Sequence, residues 1–274
     1  MIPAMPDIRP ISALTIAGSD SGGGAGIQAD LRTFAAHRVH GLAAIAALTA
    51  QNTQGVTAVH VPPPDMLRAQ IDACFADFRI GAVKLGMLAN ADVVRTVVDR
   101  LEVHRPSFVV LDPVMVATSG ARLLAEDAVQ ALRKRLLPLA SVVTPNIPEA
   151  EVLLGHAIAD LDAMRAAARE FLDRGAHAVL LKGGHLDGEQ VVDLYADSHG
   201  SREIVHPRLE LVAHGTGCTL AAAIAANLCR GRSLPAACVA ASDYVHRALE
   251  GAYRPGRGEV VVLDHLTGTL PARA

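Results

Sequence analysis

The chain has 274 residues, of which 51% are hydrophobic and 3% aromatic, with no Trp, a mean hydropathy of +0.30 and a formal net charge of −3. There is no basic excess and no Lys/Arg run stands out, which argues against nucleic acid or an anionic membrane surface as a partner. A core built from Ala, Val, Leu and Ile at this length suits one α/β domain over residues 1–274, with helices on both faces of a parallel sheet and residues 1–10 as a loose tail.

The four cysteines, Cys74, Cys218, Cys229 and Cys238, show neither CxxC spacing nor disulfide-framework density, so a reduced, cytoplasmic compartment is expected. Residues 1–10 lack the apolar core of a signal peptide, and the most apolar helix, over 220–228, is too short to span a bilayer.

In chain order, 11–17 reads as a buried strand, 18–26 as a glycine-rich loop and 27–37 as a helix. Strands over 42–48 and 56–61 precede a helix over 65–78, with Asp65 as its expected cap. A strand at 83–85, a helix over 91–104 and a strand over 107–111 lead to Asp112-Pro113. Next come a helix over 126–137, a strand over 141–144 and a helix entered through Pro148. A helix over 161–174 stops at Gly175, and the strand over 178–181 ends at Lys182-Gly183-Gly184. An antiparallel hairpin is expected from 191–195 and 203–205, then helices from Thr216 and over 235–250. This alternation predicts a doubly wound sheet whose ligands bind beyond the carboxyl ends of the strands.

Several motifs fail on their own requirements. Gly24-Ala25-Gly26-Ile27-Gln28-Ala29 matches a dinucleotide fingerprint, but no Asp or Glu occurs between Asp30 and Asp65 to hold a ribose. No glycine loop ends in Lys-Ser/Thr, and Asp20 occupies the serine position of a would-be nucleophile elbow. The twelve histidines show no compact zinc-ligand spacing.

His214-Gly215-Thr216-Gly217-Cys218-Thr219 is more informative. Small residues lead into an alanine-rich run, so a helix opening at Thr216 would present bare N–H groups and its positive dipole end to an anion. A thiol in that first turn is expected to have a lowered pKa. The competing reading is a buried helix with glycines for close packing and Cys218 as a core residue. Asp112, Asn146, Glu149, Lys182 and Gln51 also fall at strand ends. Phosphoryl transfer needs donors around the phosphate, a divalent ion and an oriented acceptor. The helix start and Lys182 would give the first. Asp112, Asn146 and Glu149 offer oxygens for magnesium, which keeps part of its water shell, and Cys218 would orient or deprotonate the acceptor. Each has an ordinary alternative: Asn-x-x-Glu caps helices, and Asp before Pro ends strands.

These motifs, together with 17–30, Ala50-Gln51-Asn52-Thr53, Lys84-Leu85-Gly86-Met87-Leu88 and Thr144-Pro145-Asn146-Ile147-Pro148-Glu149-Ala150, resemble the hydroxymethylpyrimidine/phosphomethylpyrimidine kinases of thiamine biosynthesis, in the ribokinase-like superfamily. The resemblance covers about residues 11–250. It implies a three-layer sandwich and phosphorylation, with ATP and magnesium, of 4-amino-5-hydroxymethyl-2-methylpyrimidine and then of its monophosphate, in a cytoplasmic homodimer. It further implies that Gln51 binds the pyrimidine, that Asp30 and Gly18 line the hydroxymethyl side and that Met87 packs on the ring. Gly215, Thr216, Gly217 and Cys218 would form the anion hole, Lys182 would neutralise phosphate charge, and Asp112 and Glu149 would hold magnesium, partly through water. Val212-Ala213, Thr118 and 257–261 depart from the family pattern. The rivals are a pyridoxine or pyridoxal kinase, against which Gln51 argues, and a non-catalytic pyrimidine sensor, which would not need the phosphate-transfer set.

Overall fold

The computed structural model describes residues 9–115 and 125–267; Thr118 and most of the expected N-terminal tail lie outside them. Its centre is a nine-stranded sheet in the order β3-β2-β1-β4-β5-β6-β7-β8-β9. Here β1 is Ile11–Asp20, β2 His40–Asn52, β3 Gly55–His60, β4 Arg79–Leu85 and β5 Val109–Leu111. The remaining strands are β6 Val142–Val143, β7 Ala178–Leu181, β8 Gln190–Asp197 and β9 Gly200–Pro207. The run β2-β1-β4-β5-β6-β7 pairs in parallel, and β3, β8 and β9 add antiparallel edges.

Two apolar layers sandwich the sheet. On one face pack α2 (Pro64–Asp77), α3 (Ala91–His104), α4 (Glu126–Ala131), α5 (Ile147–Leu154) and α6 (Leu161–Asp173). On the other lie α1 (Gly26–Ala36), α7 (Thr216–Cys229) and α8 (Leu234–Glu250). Strands β5, β6 and β7 are short and wholly apolar, as burial on both faces requires, and α7 is buried along nearly all its length. Its alanines allow close approach to α1, α8 and the sheet.

Three boundaries differ from the sequence expectation. Strand β1 does not stop at Gly18: after a bulge at Ala17/Gly18 its ladder with β2 continues to Asp20↔Thr49, so the glycine loop begins at Ser21. Asp65 makes no cap, because Pro64 already occupies the first turn of α2 and the preceding Pro63 has no side-chain donor or acceptor to offer. The helix from Glu126 ends as an α-helix at Ala131, widens into a π turn over Leu132–Leu136 and tightens into a 3-10 turn over Leu137–Leu139. Pro138, which lacks an N–H and crowds the carbonyl four residues back, accounts for that break. A small parallel pair, β10 (Ala213–His214) with β11 (Val261–Val262), was not anticipated and fixes the entry to α7.

Candidate active site

A cavity of about 750 Å³ opens beyond the carboxyl ends of the parallel strands. The strand ends deliver Gly18 and Asp20 (β1), Met87 (after β4), Asp112 (after β5), Asn146 and Glu149 (after β6) and Lys182 (after β7), and the start of α7 closes the cavity from the other layer. Gln51 and Cys218 line this same cavity.

The start of α7 is shaped by its glycines. Gly215 is the N-cap at φ +84, and a Cβ there would meet the Gly24 carbonyl oxygen at 2.0 Å. Gly217 faces the charged groups: a Cβ on it would lie 2.9 Å from Lys182 Nζ and 3.4 Å from both oxygens of Asp112. Among the described residues, no protein carbonyl or side chain accepts from the N–H groups of Thr216, Gly217 or Cys218. The first turn therefore offers bare amides beside a lysine, as an anion site requires.

Lys182 Nζ stands 3.2 Å from Asp112 Oδ1 and 3.8 Å from Glu149 Oε2. Burial opposes its charge, but the two carboxylates outweigh burial and raise its pKa, so it stays an ammonium. Burial pushes the Glu149 carboxyl up to about 7, against the pull of Lys182. Asn146 and Glu149 also form a capping box on α5: Glu149 N–H donates to Asn146 Oδ1 and Asn146 N–H to Glu149 Oε2, both at 2.8 Å. Capping engages one lone pair of the Asn146 carboxamide oxygen, and Asn146 also lines the cavity. Glu149 also lines the cavity.

Two further expectations are corrected. Helix position does not lower the Cys218 thiol; burial, reinforced by Asp112 and Asp30, pushes it up to about 11 despite Lys84 nearby. Asp30 does not line the cavity. It lies fully buried behind the cavity wall, accepting from Thr15 Oγ1 at 2.6 Å and paired with Lys84 Nζ at 2.9 Å. Gly18 and Met87 do line the cavity, and they touch each other: a Cβ on Gly18 would come 2.9 Å from Met87 Sδ.

Three residues of this region had no role assigned from sequence. Lys84 is the buried charge of β4, and its partner is 54 residues away. Asp20 holds the glycine loop by accepting from the N–H groups of Gly22 (2.8 Å), Gly24 (3.0 Å) and Ala25 (2.9 Å); an Asp heading a Ser-Gly-Gly-Gly run is a legible turn signal. His214 bridges this loop to Gln51, with Nε2 3.2 Å from Asp20 Oδ2 and 2.7 Å from Gln51 Nε2.

The family model for phosphomethylpyrimidine kinase matches residues 20–263. A hydroxymethylpyrimidine/phosphomethylpyrimidine kinase of Rhizobium meliloti (strain 1021) is 51% identical over 254 residues, 90% of this chain and 95% of that relative. The chain belongs to the phosphomethylpyrimidine kinase family. Among solved structures, the phosphomethylpyrimidine kinase of Clostridium difficile 630 is 42% identical at a TM-score of 0.79, covering 87% of this chain and 99% of that one. The ADP complex of Bacillus subtilis pyridoxal kinase is 34% identical at a TM-score of 0.89, covering 96% and 100%. This kinase is thus a phosphotransferase of ribokinase-like fold.

Proposed function

We propose that the protein transfers the γ-phosphoryl group of ATP to the hydroxymethyl group of 4-amino-5-hydroxymethyl-2-methylpyrimidine, and then a second phosphoryl group to the monophosphate. The observation that carries this reading is the placement of Gln51 and the unfilled first turn of α7 in one cavity. A carboxamide presents a donor beside an acceptor, the complement of an aminopyrimidine edge. The backbone of Bacillus subtilis pyridoxal kinase is also close, but backbone shape does not read a ring; the side chain at Gln51 does.

In this reading the acceptor hydroxymethyl oxygen attacks the γ-phosphorus in line while the bond to ADP breaks. The amides of Gly217 and Cys218 and the Lys182 ammonium gather the negative charge of the transferring group. Cys218 enters protonated, so it orients the acceptor hydroxyl instead of removing its proton; in a loose transition state the proton leaves late, to the phosphate formed. Asp112 and Glu149 suit magnesium, a hard cation satisfied by one or two carboxylates with water and phosphate. Among the described residues no three His, Cys, Asp or Glu side chains are arranged to hold a metal by themselves, so such an ion would be shared with the nucleotide. When bound, it neutralises charge on the phosphate oxygens.

The test offers purified protein ATP and magnesium with hydroxymethylpyrimidine and pyridoxine side by side and resolves the products by mass. Phosphorylated pyrimidine is expected to predominate, and its loss in Gln51→Met should follow weaker ring binding, by one to two hydrogen bonds of roughly 0.5–1.5 kcal/mol each. Exclusive phosphorylation of pyridoxine would refute the reading.

A further inference from the structure

The hydrogen bonds around Gln51 contain one conflict. His214 Nε2 lies 2.7 Å from the Gln51 amide nitrogen, a donor, and 3.2 Å from Asp20 Oδ2, an acceptor. With a proton on Nε2, the ring serves Asp20 but meets the amide hydrogens; without one, it accepts from Gln51 and turns a lone pair on a carboxylate. Asp20 is held ionised, since its bonds from His214, Ala25 and Gly22 outweigh burial. Thr49 Oγ1 can donate its single proton either to the Ser19 carbonyl at 2.9 Å or to Gln51 Oε1 at 3.2 Å.

A half-turn of the carboxamide resolves the conflict at His214. Its oxygen then accepts from a His214 Nε2–H that is shared with Asp20, and its NH2 donates to Thr49 Oγ1, whose own proton stays with the Ser19 carbonyl. Oxygen and nitrogen of an amide have nearly equal size, so hydrogen bonding decides their places. The imidazole has little room to turn away, because a Cβ on Gly24 would come 2.9 Å from its Cδ2, and pairing with Val262 fixes its backbone.

We infer that His214 is a positioning residue: bearing its proton on Nε2, it fixes the orientation of the Gln51 carboxamide and so decides which ring edge the cavity accepts. Its position directly before Gly215 joins ring reading to the phosphate end through one residue. This inference rests on the proposed function for the identity of the ring, but not for the orientation of Gln51.

Two measurements test it on the full-length protein. Long-range proton–nitrogen NMR of the unliganded chain, with His214 assigned by its loss in His214→Gln, should show a protonated Nε2. A bare Nε2 overturns the inference whatever the substrate is. In steady-state kinetics His214→Leu should raise KM for the pyrimidine about ten-fold, the equivalent of one positioned hydrogen bond, with KM for ATP changed less than about two-fold. His214→Gln, which places an amide N–H where Nε2–H was, should return the pyrimidine KM to within about three-fold of wild type. A similar rise in both KM values, or no recovery in His214→Gln, would overturn it. Failure of the wild type to phosphorylate the pyrimidine would instead count against the proposed substrate and leave the NMR result standing.

Discussion

The Cys218 thiol occupies a helix first turn whose free amides favour a thiolate, yet burial and the carboxylates of Asp112 and Asp30 push it up to about 11. Helix position alone suggests the opposite sign, because the desolvation of a side chain and the carboxylates folded against it are not local properties. Alkylation by iodoacetamide should therefore be slow at pH 7.5 in the free protein and accelerate about ten-fold per pH unit toward pH 11; rapid reaction at neutral pH would show a thiolate. Cys218→Ala should lose most turnover, roughly ten- to a hundred-fold, while pyrimidine binding measured by titration calorimetry persists. The same limit explains why Lys84 and His214 had no assigned roles: their partners stand 54, 163 and 194 residues away. Gln51, Lys182 and Asp112 were legible because each follows or ends an apolar run and so must lie where the strands deliver ligands.

At the scale of elements, alternation of apolar runs and helical segments was enough to place every strand of the main sheet, including the β8–β9 hairpin. What local pattern did not reveal depends on distant pairing: the extension of β1 to Asp20 is sustained by β2, and β10 exists only because β11 reaches it. The turn into α7 is the element on which the site depends most. Gly215 sits at φ +84 with the Gly24 carbonyl against the place of its missing Cβ. Gly215→Ala should therefore cost at least about 2 kcal/mol, a fall in Tm of roughly 5 °C or more, because the left-handed backbone and the clash act together. Thermal unfolding followed by circular dichroism checks this; an unchanged Tm would mean the turn is not strained by a side chain.

Across the whole molecule, buried titratable groups tie stability to pH. His265 is buried, its Nε2 3.2 Å from Thr219 Oγ1 on α7, and burial followed by the Arg32 charge lowers its pKa from 6.5 to about 4. The folded state keeps it neutral while the unfolded chain takes up a proton below 6.5. Its contribution is thus complete above pH 6.5 and lost as pH falls toward 4, by roughly 2–3 kcal/mol. Urea unfolding should show wild type losing that much more than His265→Gln between pH 7 and pH 4; parallel curves would contradict it. The central claim concerns the cavity as a unit, in which bare α7 amides and Lys182 take the transferring phosphate while Gln51 holds the ring. Gly217→Ala probes it most directly, since the added methyl would fill the space 2.9 Å from Lys182 Nζ without meeting backbone. Comparing turnover with pyrimidine affinity in this variant should show turnover reduced at least about a hundred-fold, some 2.7 kcal/mol of transition-state stabilisation, with pyrimidine Kd within about three-fold of wild type. Near-normal turnover would contradict the account.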